Sequence, residues 1–246
     1  MMKRETELSC GGRLEMAGLP PRPRGVVIVC PGGGYEWLSP REAEPVAQAF
    51  ARVGWAGLIL RYTCFEGTPL GKLPLMQLGE ALRLTRKAFP GLPVAVCGFS
   101  AGGHLAASLG VHWQEEGLPA PDALILGYPV ITAGEYAHRG SIRALAGDGD
   151  PSYYSLEKHV GAHTPRTFLW QTASDEAVPV QNSLLFAEAL AAAKVPFEYH
   201  VYPAGVHGLS LATPEVAEPE KGRLPDAHVA GWFDQCAQWL KQFIEE

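Results

Sequence analysis

The sequence predicts an α/β fold, a single domain with a mostly parallel central sheet and helices on both faces. Three observations carry this. Continuous apolar runs of strand length recur along the chain, and stretches of helical composition separate most of them, which is the pattern of βαβ units with right-handed crossovers. The 246 residues, 47% hydrophobic and 19% charged, suffice for one large core and show no internal repeat or low-complexity tract.

Taken in order, residues 5–19 read as short polar strands with a turn at Gly11-Gly12, and Pro20-Pro21-Arg22-Pro23 is a stiff connector. Residues 26–30, Val-Val-Ile-Val-Cys, form a run whose continuity predicts burial on both faces. It ends in Pro31-Gly32-Gly33-Gly34-Tyr35, a loop of free backbone N–H groups that another group can approach closely. Residues 41–53 have helical composition, with Glu42 and Glu44 in the first turn, where the helix dipole favours negative charge. A strand at 56–62, a Gly- and Pro-rich loop at 65–74 and a helix to about residue 89 follow. Further strands fall at 94–97, 123–129, 167–173 and 197–202, with a helix at 180–193 and a closing helix at 226–244 that carries Trp232, Phe233, Trp239 and Phe243. Residues 131–165, rich in Tyr, His and Gly, form an insert after the sixth strand, expected to cap the site or shape the substrate.

The chemistry centres on residues 93–104, Pro-Val-Ala-Val-Cys-Gly-Phe-Ser-Ala-Gly-Gly-His, which read as strand, sharp turn and helix. A serine at such a turn is held in strained backbone, tolerated when the residues two before and two after lack side chains. Gly98 and Gly102 meet that demand around Ser100, a helix follows over 105–109, and the N–H of Ala101 can face an oxyanion. Gly33 or Gly34 supplies the second oxyanion donor.

A serine hydroxyl needs a base within reach and a carboxylate to fix the base's tautomer. Among eight histidines, His207 sits on a Gly-flanked loop directly after the last strand. His200 lies within a strand, His104 and His112 on the helix after the elbow, His228 at the start of the last helix, and His138, His159 and His163 in the insert. Asp175 ends the penultimate strand and precedes a helix, where capping that helix is its other reading. Glu176 is its nearest competitor, whereas Asp122, Asp148 and Asp150 fall outside the loops expected to face the elbow. Ser100, Asp175 and His207 are therefore the candidate catalytic set, in the chain order this architecture expects. Tyr35 and Trp37, just after the glycine loop, are candidates to flank the acyl pocket or stack on a substrate ring, with simple packing the alternative for both.

These motifs resemble the α/β-hydrolase superfamily. Cys30-Pro31-Gly32-Gly33-Gly34-Tyr35, Arg41-Glu42-Ala43-Glu44-Pro45-Val46-Ala47, Gly98-Phe99-Ser100-Ala101-Gly102-Gly103-His104, Val178-Pro179-Val180 and His207-Gly208-Leu209-Ser210-Leu211 together are similar to the small bacterial acetyl-xylan esterase-like carboxylesterases, across residues 26–212. Pro31 stands where a His often precedes the three glycines, a change that keeps the backbone donors. The resemblance implies removal of a small acyl group, acetyl above all, from a carbohydrate alcohol; the residues by themselves imply a short-chain ester. A peptidase, formamidase or thioesterase would use the same set with another leaving group, and a binding protein of this fold would need none of it.

The net charge of -6, without a basic run, argues against nucleic-acid and membrane partners. No clustered ligand spacing suggests a metal, and the chemistry requires no cofactor. The five Cys, without any C-x-x-C, read as reduced, and Cys30, Cys64 and Cys97, in or beside predicted strands, as small apolar fillers; no apolar leader follows the charged first residues, so the expectation is a cytoplasmic protein that acts on a small-molecule ester, with homo-oligomerisation left open.

Overall fold

The structure, a computed structural model, describes residues 4–242. Among the described residues eight strands form one sheet: β1 (Glu5–Glu7), β2 (Arg13–Gly18), β3 (Gly25–Cys30), β4 (Trp55–Arg61), β5 (Val94–Phe99), β6 (Ala123–Gly127), β7 (Thr167–Thr172) and β8 (Phe197–Tyr202). Their order is β1-β2-β4-β3-β5-β6-β7-β8, antiparallel at the β1–β2–β4 edge and parallel throughout the rest. The helices are α1 (Glu44–Arg52), α2 (Leu73–Ala88), α3 (Ala101–His112), α4 (Arg139–Ala146), α5 (Gln181–Ala192) and α6 (Ala227–Lys241).

Alternation along the buried strands divides the core in two, because successive side chains leave a strand on opposite faces. Val26, Ile28, Val94, Val96, Leu124 and Leu126 pack with α2, α3 and α5. Val27, Val29, Ala95, Cys97, Ala123 and Ile125 pack on the other face with Phe50 of α1 and with Val229, Trp232 and Leu240 of α6. Full burial of β3, β5, β6 and β7 on both faces explains their unbroken apolar runs.

Element limits shift where packing overrides local propensity. The helix after Ser100 begins at Ala101, not at 105, and Gly102 and Gly103 lie within it. α1 starts at Glu44 after a short 3-10 turn over Pro40–Glu42, and α6 starts at Ala227, where the Asp226 side chain accepts from the N–H groups of His228 and Val229. Trp232 and Trp239 are buried on α6 and Phe233 partly so, while Phe243 lies outside the described residues. The 131–165 insert holds α4 and two 3-10 turns, at Ser152–Tyr154 and Leu156–Lys158. All five cysteines are free, and burial raises the Cys30, Cys97 and Cys236 thiols. Among the described residues no helix is long and apolar enough to cross a membrane.

Candidate active site

Ser100 caps α3 at the carboxyl end of β5 with φ 53° and ψ −120°, outside the relaxed regions for an L-residue. A Cβ on Gly98 would stand 2.1 Å from the Gly102 carbonyl oxygen, and one on Gly102 would stand 2.0 Å from that of Cys30. Either contact is impossible, so β3, β5 and α3 approach closely enough to hold this turn only with glycine at both positions. The Ser100 N–H donates to Gly127 O (3.1 Å), and its carbonyl accepts from the N–H groups of His104 and Val130, both at 3.0 Å.

The structure brings Ser100, Asp175 and His207 together. His207 Nδ1 lies 2.7 Å from Asp175 Oδ2 and Nε2 lies 2.8 Å from Ser100 Oγ. The carboxylate only accepts, so Nδ1–H donates to it and Nε2 is left to accept from the serine hydroxyl. Asp175 is buried, and its other oxygen accepts from the N–H groups of Ala177 (3.0 Å) and Val178 (2.9 Å). It closes that turn instead of capping α5, while Glu176 beside it is exposed. The His207 loop is pinned from behind: Thr172 Oγ1 donates to Gly205 O (2.9 Å), Arg223 Nε to His207 O (2.9 Å) and Arg41 to Gly208 O (2.8 Å).

The glycine loop borders the same cavity, which has a volume of about 250 Å³. Gly33, at φ 128°, has its carbonyl closed onto the N–H groups of Glu36 and Trp37, and a Cβ there would meet Trp37 O at 2.1 Å. Gly34, at φ 68°, has room for a side chain and needs glycine for its backbone alone. Neither N–H donates to another described residue. Ala101, first in α3, has no acceptor within its helix for its own N–H.

The two aromatic candidates part. Trp37 lines the cavity, 48% exposed. Tyr35 does not: the chain turns at φ 65° and buries the ring, whose hydroxyl sits 2.9 Å from His104 Nδ1. Its position beneath the site corrects the expectation of a substrate contact there.

Two residues that sequence reasoning passed over also border the cavity. Glu42 is buried: one carboxylate oxygen accepts from Gly32 N–H (2.8 Å) and the other from the Tyr128 hydroxyl (2.7 Å). The Tyr128 hydroxyl oxygen in turn accepts from Ser210 N–H (2.8 Å), and the Tyr128 ring packs edge-on against His207 at 5.1 Å. Glu42 thus couples the glycine loop to the histidine loop; burial, with Glu42 alongside, pushes the Tyr128 phenol well above its ordinary range. Its place in a first helical turn suggested only a dipole partner. The second is His138, alone among the seven competing histidines in lining this cavity. Nothing local in sequence marks either residue. Among the described residues no three His, Cys, Asp or Glu side chains are placed to share a metal ion.

A family model described as the alpha/beta hydrolase fold matches residues 80–158, and one described as the prolyl oligopeptidase family matches residues 130–239. The chain is similar to the endo-1,4-beta-xylanase B of Butyrivibrio fibrisolvens, with 41% identity over 78% of this chain and 33% of the relative. It is also similar to the acetylxylan esterase of Xylanibacter ruminicola, with 32% identity over 84% of this chain and 46% of the relative. It therefore spans between a third and a half of the length of these curated relatives. Among solved structures, the acetyl ester-xyloside bifunctional hydrolase of Caldicellulosiruptor lactoaceticus superposes with a TM-score of 0.83 at 35% identity, covering 95% of this chain and 88% of that one. With the sheet order, the elbow and a relative of that similarity along nearly its whole length, the chain belongs to the α/β-hydrolase family.

Proposed function

We propose that this chain is a serine esterase that removes short acyl groups, acetyl above all, from carbohydrate alcohols such as acetylated xylo-oligosaccharides. The observation that supports it most is the unbroken relay from buried Asp175 through His207 to the hydroxyl of Ser100 on a strained turn. In this reading His207 Nε2 takes the serine proton as Oγ attacks the ester carbonyl. The N–H groups of Ala101 and of Gly33 or Gly34 hold the oxyanion, each such donor typically worth about 3 kcal/mol in the transition state. The imidazolium, stabilised by Asp175, then protonates the leaving alcohol. Water repeats the cycle on the acyl-enzyme and restores Ser100. The similarity to an acetylxylan esterase and to an acetyl ester-xyloside hydrolase supports the sugar acetate as substrate.

The match to the prolyl oligopeptidase family over the segment with Asp175 and His207 favours one competitor, an amine leaving group. Turnover of acetylated xylo-oligosaccharides, short and long nitrophenyl esters and an aminoacyl anilide separates the two. Release of acetate with preference for the short ester is expected; hydrolysis of the anilide alone would overturn the esterase reading. Ser100→Ala should lose roughly 10⁴-fold or more in kcat, and full activity in that variant would remove Ser100 from the mechanism.

A further inference from the structure

The insert contributes one polar side chain to the cavity whose protonation its own helix dictates. His138 is the N-cap of α4, where its Nδ1 accepts from the Ser141 backbone N–H (3.2 Å) and lies 2.8 Å from Ser141 Oγ. A ring nitrogen facing a backbone donor carries no hydrogen, so the neutral imidazole holds its proton on Nε2. Partial burial, with His207 nearby, lowers the His138 pKa, which keeps the ring neutral near pH 7. Nε2–H has no partner among the described residues, and the ring lines the cavity beside Gly34, with Cε1 3.8 Å from the point where a Cβ on that glycine would stand. The result is a donor whose rotamer and tautomer are set before any ligand arrives.

Two neighbours suit what such a donor would hold. Trp37 offers a half-exposed indole, and Glu36 an exposed carboxylate that only accepts. A flat apolar face flanked by one fixed donor and one acceptor complements a pyranose ring, which has C–H faces and hydroxyls around its rim. We propose that His138, with Trp37 and Glu36, forms the alcohol-side subsite, in which Nε2–H donates to a sugar hydroxyl next to the acylated one. This rests on the esterase reading of Ser100 for its role in turnover but not for binding. It makes His138 a specificity-determining residue and gives the insert a part in substrate choice.

The test separates the donor from the cap. His138→Asn retains a good N-cap and withdraws the donor from the cavity, whereas His138→Ala removes both. Relative to the native enzyme, the ratio of kcat/KM for acetylated xylobiose to that for nitrophenyl acetate should fall roughly three- to tenfold in His138→Asn, the equivalent of one neutral hydrogen bond. An equal change on both substrates, or no change on either, would overturn the subsite. In parallel, calorimetry with acetylated xylobiose on Ser100→Ala, with and without His138→Asn, reads binding without turnover. A weaker affinity in the double variant supports the subsite even if the native protein hydrolyses no ester, in which case only the esterase reading fails. Equal affinities, or no binding to either variant, refute the subsite.

Discussion

The elbow at Ser100 and the insert at 131–165 border one cavity, and they are held by different means. The elbow is fixed at close range by backbone: Gly98 admits the Gly102 carbonyl four residues on and Gly102 the Cys30 carbonyl of the neighbouring strand β3, contacts that no other residue allows. The insert is tied down from afar. Asn182 of α5 accepts through Oδ1 from the N–H groups of Ile131 (2.9 Å) and Thr132 (3.1 Å) and donates to Tyr136 O (2.9 Å). Trp113 Nε1 donates to His163 O (3.1 Å), and His112 stacks on Tyr153 at 3.9 Å. A site can thus combine a reacting edge whose geometry is local and rigid with a wall whose geometry depends on distant partners. Substitutions should divide accordingly, with elbow changes acting on folding and chemistry together and insert changes on stability and substrate choice.

The sharpest way to break this division is Gly98→Ala. The new methyl would meet the Gly102 carbonyl at 2.1 Å, backbone against backbone, so β5 and α3 must separate. A loss of at least about 4 kcal/mol is expected, read as a fall in Tm of about 10 °C for a chain of this size, with activity lost in the fraction that still folds. A variant with native Tm would show that the elbow has slack the geometry denies.

That same local character made the elbow legible in sequence, whereas the wall was not. Gly98, Ser100 and Gly102 announce themselves because the constraint acts between residues four apart, and His207 and Asp175 follow from their loops after β8 and β7. Glu176 remains the nearest competitor of Asp175 in sequence; burial and two turn N–H groups separate them in the structure. Propensity places the helix at 105–109, whereas α3 starts at Ala101, because close approach and not propensity puts Gly102 and Gly103 inside it. Glu42 and Asn182 were illegible because their partners lie at positions 128 and 131, and His138 because only the fold turns this N-cap toward the cavity that holds His207; no local period encodes such placements. Tyr35 shows the converse: adjacency to the glycine loop suggested a substrate contact, but the left-handed turn sends its ring to His104.

His104 joins the two regions, and its titration tests that joint. It is buried in α3; its Nδ1 meets the Tyr35 hydroxyl at 2.9 Å, and its Nε2 donates to Tyr154 O of the insert at 3.1 Å. Burial lowers its pKa from 6.5 to about 4. Between those values the unfolded chain binds the proton and the native state does not, so stability falls as pH drops through that window and is regained above 6.5. The shift corresponds to about 3 kcal/mol. His104→Gln should lower stability at pH 7 and flatten the pH dependence between 4 and 6.5, measured by urea unfolding; an unchanged slope would mean that His104 does not stay neutral in the native state.

Glu42→Gln sharpens the elbow side. Both carboxylate oxygens accept, from the Gly32 N–H and from the Tyr128 hydroxyl, while that hydroxyl oxygen already accepts from Ser210 N–H. A glutamine can accept at one position only, so the Tyr128 hydroxyl or the Gly32 N–H loses its partner. The expected result is a ten- to hundredfold loss in kcat with little change in KM, because the displaced groups carry the glycine and histidine loops and not the substrate. A loss confined to KM would place Glu42 in substrate binding instead.

The smallest effect belongs to the outer edge of the insert. Lys72 Nζ pairs with Glu116 Oε1 at 2.5 Å and lies over the Tyr153 ring at 4.3 Å, while the Tyr153 hydroxyl donates to the same Glu116 oxygen at 3.0 Å. The lysine side chain is 45% exposed, so water and salt screen most of this attraction, and the ordering of a long side chain opposes the rest. Lys72→Met keeps the apolar stem against Tyr153 and removes the charge. It should cost less than about 1 kcal/mol, shrinking further in 1 M salt, and leave the sugar-to-nitrophenyl specificity ratio where it was. A larger, salt-independent loss would show that the insert depends on this corner, and that its hold on the molecule is electrostatic rather than the buried hydrogen bonds of Asn182 and His104.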